Sequence, residues 1–90
     1  MEKKNYHESL TRLQAALKGT TFNDHGHKQA ALELHDNVKV ILEHPGEAPF
    51  AHHYRLMGRL QDAVTRFEAS HPGLTAAAAS VIDALNKMGI

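Results

Sequence analysis

Apolar residues recur at intervals of three and four along almost the whole chain, which is the spacing of one face of an α-helix. Glycine and proline interrupt this pattern in three places, at residues 19–26, 45–49 and 72–73. No segment alternates apolar and polar residues as a half-buried strand would. The sequence therefore predicts an all-α protein with four helices. The predicted helices span roughly residues 5–18, 24–44, 48–70 and 72–88. The apolar stripe of the first helix is Tyr6, Leu10, Leu13 and Leu17, and that of the second is Ala31, Leu34, Val38 and Ile41.

Polar and glycine residues mark several of the predicted helix ends. Asn5, followed three positions later by Glu8, resembles a capping box and predicts the start of the first helix. Gly19 follows Lys18 at the end of that helix, where a left-handed C-terminal cap is common. Asn23 or Asp24 has the side chain that an N-cap of the second helix requires.

The longest pattern is a heptad seam in the second half of the chain, with alternating spacings of three and four. All but two of its positions are apolar, as in the a and d positions of a coiled coil. The seam comprises Phe50, His53, Met57, Leu60, Val64, Phe67, His71, Leu74, Ala78, Val81, Leu85 and Met88.

The break at residues 70–73 leaves two geometries open. The preserved phase of the seam favours one continuous helix with a kink at Pro72. The Pro72-Gly73 pair, with proline suited to the first turn of a new helix, favours a reversal into a helical hairpin. We expect the hairpin. In a kinked helix much of the seam would have no partner within the chain, and exposed apolar surface of that size marks an interface.

The composition removes several classes of function. The chain has no cysteine, which excludes disulfides, thiolate zinc sites and thiol nucleophiles. Ten lysines and arginines balance ten aspartates and glutamates, so the net charge gives no drive toward nucleic acid or an anionic membrane. No segment has the length of a membrane span, and the N-terminal residues are too polar for a secretion signal. We expect a cytoplasmic protein without a membrane or nucleic-acid partner.

No pattern indicates catalysis. Ser70 and His71 are adjacent, but no glycine-framed nucleophile turn surrounds them. The glycines are scattered and form no phosphate-binding loop. Arg55, Arg59 and Arg66 lie along one side of the third helix, where acidic residues interrupt them, so they form no continuous basic stripe. We predict a protein that is not an enzyme and has no cofactor.

Eight histidines are the one compositional excess. Imidazole is a common ligand of zinc, copper and nickel, but a site on one helix favours two histidines four apart, and that spacing does not occur. His25 and His27, beside Asp24, are the best local cluster and the alternative candidate for a metal. His53 and His71 occupy seam positions, where a histidine is either a structural residue or a pH-sensitive one.

The C-terminal third of the chain carries motifs that are specific in combination. They are Arg-Leu at 59–60, Arg-Phe-Glu at 66–68, His-Pro-Gly-Leu-Thr at 71–75 and Ala-Leu-Asn-Lys-Met-Gly-Ile at 84–90. In these motifs the chain resembles a family of short bacterial proteins known as domain of unknown function four-four-zero-four. The resemblance implies a bacterial, soluble, helical protein. It implies no activity, and it suits a structural role for His71 at the turn.

Together these features predict helical hairpins or a small four-helix bundle with a coiled-coil-like heptad seam, completed by oligomerisation. The predicted function is a non-enzymatic module for self-association, most simply as a homodimer, with an unidentified protein partner as a further option. The alternative is a histidine-based metal-binding or pH-responsive protein acting through His25 and His27. The candidate interface residues are Phe50, Met57, Leu60, Val64, Phe67, Leu74, Val81, Leu85 and Met88.

Overall fold

The computed structural model describes residues 2–44 and 50–88, and the side chains of residues 5–44 and 52–88. Within these residues the regular structure is entirely helical, which confirms the predicted all-α class. The helices are α1 (Glu2–Gly19), α2 (His25–Glu43), α3 (Phe50–Phe67) and α4 (Pro72–Lys87). The predicted start of the third helix at residues 48–49 lies outside the described residues.

The ends of α1 differ from the prediction. The helix begins at Glu2, so Asn5 lies inside it, and the Asn5 carbonyl accepts a hydrogen bond from Ser9 Oγ at 2.8 Å. The capping box at Asn5 and Glu8 is therefore wrong. Gly19 is the last helical residue and does not have the positive φ of a left-handed cap. A polar residue inside a helix and one at its cap look alike in sequence, because both are followed by the same apolar stripe.

The start of α2 follows the prediction. Asp24 is the N-cap, and its Oδ1 accepts a hydrogen bond from the backbone N–H of His27 at 3.0 Å. A carboxylate at this position satisfies a backbone donor that has no partner within the helix. Glycine at position 26 suits the cap, because a Cβ there would lie 3.1 Å from Asp24 Oδ1.

The chain reverses between α3 and α4. Helix α3 ends at Phe67, whose carbonyl accepts a hydrogen bond from the His71 N–H at 2.8 Å. Pro72 then begins α4, and the His71 carbonyl accepts from the Thr75 N–H at 3.0 Å in its first turn. The two helices pack against each other. The helical hairpin is therefore the observed geometry, and the kinked continuous helix is wrong.

The four helices form an up-and-down bundle. Helix α1 packs on α2, α2 on α3, α3 on α4 and α4 on α1, whereas the diagonal pairs α1–α3 and α2–α4 are separated by the core. The bundle measures 35 × 20 × 19 Å, and an 18-residue helix accounts for about 27 Å of its length. Neighbouring helices run antiparallel, as their short connections require.

The core lies along the axis of the bundle and takes one stripe from each helix. On α1 and α2 these are the predicted stripes. On α3 the deepest residues include Leu56 and Ala63, one position before the predicted Met57 and Val64, which are partly buried. This helix touches both α2 and α4, so its buried face is wider than a two-position seam. The buried apolar residues are Tyr6, Leu10, Leu13, Leu17, Ala31, Leu34, Val38, Ile41, Leu56, Leu60, Ala63, Phe67, Leu74, Ala78, Val81, Ala84 and Leu85.

Among the described side chains, one polar side chain, that of Asn37, is buried beside this core, and it links α2 to α3. Asn37 donates from Nδ2 to the His52 carbonyl at 3.4 Å and accepts at Oδ1 from Arg59 Nη1 at 3.3 Å. The same Arg59 nitrogen donates to the Glu33 carbonyl at 3.1 Å. Because Asn37 meets His52 while Glu33 meets Arg59, the contacts fix the antiparallel register of the two helices.

Candidate functional site

The residues of the predicted interface lie inside the single chain. Five of them have at most 3 % of their surface exposed and belong to the core: Leu60, Phe67, Leu74, Val81 and Leu85. Met57, Val64 and Met88 are partly buried against that core, and the side chain of Phe50 lies outside the described residues. The heptad seam therefore closes the α3–α4 hairpin onto α1 and α2, and it offers little apolar surface to a partner.

An apolar groove is open on the other side of the bundle, between the end of α1 and the first half of α2. We call it the α1–α2 groove. It has a volume of ≈ 220 Å³. Its lining residues are Leu17, Lys18, Phe22, Ala31, Leu32 and His35. Leu17 and Ala31 are buried and form its floor, whereas Leu32 has 51 % of its surface exposed at the rim. The titratable residues in its lining are the basic Lys18 and His35, and no carboxylate lines it.

A second exposed apolar residue lies further along α2. Val40 has 38 % of its surface exposed, and the exposed residues Asp36 and Glu43 lie four positions before and three positions after it. These spacings place the three residues on one side of the helix. One helix therefore carries both a groove with a basic rim and an apolar side chain with acidic neighbours.

Four rings pack together at the end of the bundle where α2 begins and α3 ends. We call them the aromatic cluster: Phe22, His27, Phe67 and His71. The Phe22 and His71 ring centroids are 5.1 Å apart, those of His27 and Phe67 are 5.2 Å apart, and those of His27 and His71 are 6.4 Å apart. Phe67 is fully buried and the other three rings are half-buried. Phe22 belongs to both the aromatic cluster and the α1–α2 groove.

The charged groups beside the aromatic cluster include one acid and one base. The Asp24 carboxylate accepts the N–H of His27, and this hydrogen bond lowers the pKa of the carboxyl below its usual value. The neighbouring His27 ring and the Arg66 guanidinium lower this pKa further. Arg66 also pairs with Asp62 at 3.3 Å. Because Asp24 is fully exposed, solvent weakens each of these interactions.

The alternative metal ligands do not converge. His25 is exposed in the first turn of α2, whereas His27 is half-buried and packs edge-on against Phe67. Across residues 2–44 and 50–88, no group of three or more histidine, aspartate or glutamate side chains is arranged to hold a metal ion. The remaining histidine of this region, His71, packs against Phe67, and its ring centroid lies 6.4 Å from that of His27.

The other seam histidine, His53, contacts Tyr6 at the opposite end of the bundle. The Tyr6 hydroxyl lies 2.8 Å from His53 Nδ1, and the two ring centroids are 5.5 Å apart. Burial raises the pKa of the Tyr6 hydroxyl well above its usual value. The folded state therefore holds the neutral hydroxyl, which donates to Nδ1 or accepts from it according to the tautomer of the imidazole. Both seam histidines thus pack against aromatic rings inside the bundle.

Arg59 and Arg66 do not form a shared basic face. Arg59 is turned onto the backbone of α2, and Arg66 pairs with Asp62 on its own helix. A second, polar cleft of ≈ 230 Å³ lies between α1 and α4, but Glu8 and Asp83 in its lining offset Arg12 and Lys87. Neither feature selects a ligand by charge.

Sequence reasoning missed the α1–α2 groove and the aromatic cluster. Leu32 lies outside the apolar stripe of α2, and an apolar residue off the stripe was a signal that the groove exists. Phe22 lies in the connection between α1 and α2, where its contacts with Phe67 and His71 depend on tertiary packing. No local pattern could have assigned these contacts.

The comparisons with known proteins identify a family and no activity. Across the described residues, no helix combines the length and the apolar character needed to cross a membrane. No curated protein and no solved structure matches this chain. A family model does match, and it extends well beyond the C-terminal third on which the resemblance was based. The match covers residues 7–90, and the chain therefore belongs to the family Domain of unknown function (DUF4404).

Proposed function

We propose that the protein is a non-enzymatic helical interaction module that self-associates through the exposed side of α2. The observation that carries this proposal is the α1–α2 groove, whose rim residue Leu32 leaves half of its surface in water. An apolar rim above a buried floor of Leu17 and Ala31 gains free energy when another apolar side chain covers it. The proposed surface replaces the heptad seam, which the chain itself covers.

The occupant that fits the α1–α2 groove is a second copy of this chain, through Val40 and its neighbours. Val40 is small enough for a shallow groove, and Asp36 and Glu43 carry the charge that complements Lys18 and His35. In a two-fold dimer each chain supplies the same patch. The contact therefore forms twice, with Val40 of each copy in the groove of the other. Electrostatic complementarity of this kind selects the partner and the orientation more than it adds affinity.

The cytoplasm is the compartment we propose for this module. A cysteine-free chain with balanced charge needs no oxidising environment to fold. The described helices contain no membrane span, so we propose that the module binds other protein chains and not a bilayer.

Sedimentation velocity over a wide range of protein concentrations tests self-association. We expect the wild type to form a dimer and Leu32→Lys to remain a monomer, because the lysine places a charge in the groove. Tyr54→Lys is the matched control: Tyr54 is 68 % exposed on α3, the helix diagonal to α1, and its replacement should leave the dimer intact. A wild type that stays monomeric, or a Leu32→Lys variant that dimerises normally, would refute the proposal.

Native mass spectrometry of protein purified without chelator separates this proposal from the metal-binding alternative. A dimer without added mass supports the interaction module. A stoichiometric metal that disappears in a His25→Ala, His27→Ala double variant would instead support the metal-binding protein.

A further inference from the structure

Two backbone hydrogen bonds in the connection between α3 and α4 also belong to a continuous helix. The His71 N–H donates to the Phe67 carbonyl at 2.8 Å, and the Thr75 N–H donates to the His71 carbonyl at 3.0 Å. Each bond joins residues four apart, which is the spacing within an α-helix. A helix that ran unbroken from α3 into α4 would keep both bonds. It would also give partners to N–H groups in the first turn of α4, which have none within that helix.

The reversal of the chain depends on the backbone of His71. This residue has φ −137° and ψ 70°, outside the helical region, and its side chain makes no capping hydrogen bond. Pro72 disfavours helical φ and ψ at the residue before it, and it has no N–H to donate within a continuous helix. Proline inside a helix is less favourable than alanine by a factor on the order of 100. Pro72 is therefore the residue that favours the hairpin.

The heptad seam keeps its spacing across this hinge. Its positions on both sides of His71 are three or four residues apart, so a continuous helix would carry them on one stripe. Within a single chain, such a helix would carry α4 away from α1 and expose the apolar face of α4 to water, which is unfavourable. The residues of that face are Leu74, Ala78, Val81, Ala84 and Leu85.

A second copy of the chain supplies the surface that fits this face. In the closed chain α4 packs on α1 and α3, and another copy carries the same two helices. When two chains open together, α4 of each can pack on α1 and α3 of the other. The contacts of the bundle are then restored, and only the hinge differs. Exchange of an identical element in this way is a low-cost route to a dimer.

We propose that two chains open at His71 and Pro72 and form a dimer by exchanging α4, with α3 and α4 of each chain joined in one helix. This dimer goes beyond the one proposed through the α1–α2 groove and does not depend on it. Because α4 must first leave the core, the closed and exchanged forms interconvert about as slowly as the protein unfolds.

Refolding from urea at high protein concentration tests the exchange. The attached α4 competes at an effective concentration of roughly millimolar, so the refolding is done at about that concentration. Every chain carries Leu32→Lys, so that the groove contact does not contribute. We expect size-exclusion chromatography to separate a monomer from a dimer that persists on dilution. Monomer alone, or a dimer that dissociates at once on dilution, would overturn the proposal.

Pro72→Ala should favour the exchanged dimer. The substitution removes both restraints that proline places on a continuous helix. We expect it to lower the protein concentration at which half of the chains are exchanged by about 100-fold or more. An unchanged concentration would contradict the role of Pro72 as the residue that keeps the chain closed.

Cross-linking shows whether α4 is the exchanged element. The natural chain has no cysteine, and Ser9 of α1 and Ser80 of α4 line the same polar cleft. Chains with Ser9→Cys are mixed with chains with Ser80→Cys before refolding, and the dimer is treated with a short bismaleimide. We expect a link between the two chains. Lys39→Cys, at an exposed position of α2, the helix diagonal to α4, replaces Ser80→Cys in the control and should give no link. A dimer without the first link, or with both links equally, would overturn the exchange of α4.

A longer connection is the opposite change and keeps the proposal testable if Pro72→Ala fails to fold. Two glycines inserted after Ser70 interrupt a continuous helix and let the closed chain reverse more freely. We expect circular dichroism to show the native helix content and refolding to give monomer alone. An insertion variant that exchanges as readily as the natural connection would overturn the proposal.

The two proposed dimers can fail separately. The groove dimer forms from folded chains and is lost in Leu32→Lys, whereas the exchanged dimer forms on refolding and persists in that variant. A wild type that stays monomeric without refolding, together with exchange in Leu32→Lys, would end the proposed self-association and keep the exchange. A wild type that dimerises without refolding, with no exchange after refolding, would keep the self-association and end the exchange.

Discussion

Tyr6 and His53 join the two helices α1 and α3 across the diagonal of the bundle, with 2.8 Å between the tyrosine hydroxyl and Nδ1. The backbones of these helices are otherwise separated by the core. Both residues lie near the starts of their helices, so the contact places those two starts at the same end. A hydrogen bond at one end of an apolar core specifies which helices lie opposite each other, because it needs one particular pair of polar groups. Apolar side chains can pack against any apolar surface.

Replacing this tyrosine should change the response of the protein to alkali. The pKa of Tyr6 is raised by burial, so the neutral hydroxyl is the form that the folded state holds. The contribution of Tyr6 to stability is complete below the ordinary tyrosine value of 10.0 and falls as the pH rises above it. Urea denaturation at several pH values measures this effect. At neutral pH the free energy of unfolding of Tyr6→Phe should be about 1 kcal/mol lower than that of the wild type, and it should fall less steeply as the pH rises in alkali.

The exposed Tyr54 provides the control for this prediction. Tyr54→Phe leaves Tyr6 as the single tyrosine of the chain, so the absorbance of tyrosinate reports Tyr6 alone. We expect the free energy of unfolding of this variant to fall in alkali as steeply as that of the wild type. An equal decline in Tyr6→Phe and Tyr54→Phe would show that burial of Tyr6 does not cause it.

Removing the buried amide of Asn37 should destabilise the packing of α2 on α3. Asn37→Ala deletes the contacts with the His52 carbonyl and the Arg59 guanidinium, and it leaves a small cavity beside the core. We expect a loss of about 1–3 kcal/mol in the free energy of unfolding. Lys39→Ala, at an exposed position of the same helix, should change it by less than about 0.5 kcal/mol. An Asn37→Ala variant as stable as Lys39→Ala would contradict this role.

Truncating leucines should separate the core from the proposed interface. Leu60 has none of its surface exposed, so Leu60→Ala should cost about 2–5 kcal/mol of folding free energy at any protein concentration. Leu32→Ala should change the stability of the monomer by less than about 0.5 kcal/mol and weaken the dimer. Chemical denaturation at low protein concentration measures the first effect, and sedimentation measures the second. A stable Leu60→Ala monomer would show that the seam is not the core.

Reversing charges should test the fit between the groove and the second copy. Lys18→Glu and Glu43→Lys should each weaken the dimer by about twofold to fivefold, because each puts like charges together at an exposed rim. The double variant should recover the wild-type affinity, and added salt should reduce all three differences. Lys87→Glu on α4, the helix diagonal to α2, should have no effect. A double variant weaker than either single variant would reject this orientation.

The sequence predicted those parts of the fold that depend on local spacing. The stripe Tyr6, Leu10, Leu13 and Leu17 lies in the core, as its intervals indicated. Asp24 caps α2 because its carboxylate, just before the helix, accepts a backbone N–H that has no partner within the helix. The start of α1 was missed because residues before the first apolar position give no periodic signal.

The depth of each residue on α3 could not be predicted. Leu56 and Met57 are both large and apolar, and which of them lies deeper depends on where α2 and α4 pack. At Pro72 the sequence favoured the reversal but left the kink open, since a proline permits both. The candidate interface was placed on the heptad seam because periodicity shows that a face is apolar but not whether the covering surface comes from the same chain.

The packing of α1 against α4 has a consequence for synthesis. The ribosome synthesises α1 before α4, so these two helices can pack against each other only after α4 has emerged. Until then the nascent three-helix intermediate lacks one wall, and the stripe from Tyr6 to Leu17 is partly open to water. The packing of α1 on α4 also joins the two helices that are farthest apart along the chain, and contacts between distant parts of a chain form slowly. During this interval a chaperone, or a second nascent chain on the same messenger, can reach the core residues that the finished bundle hides.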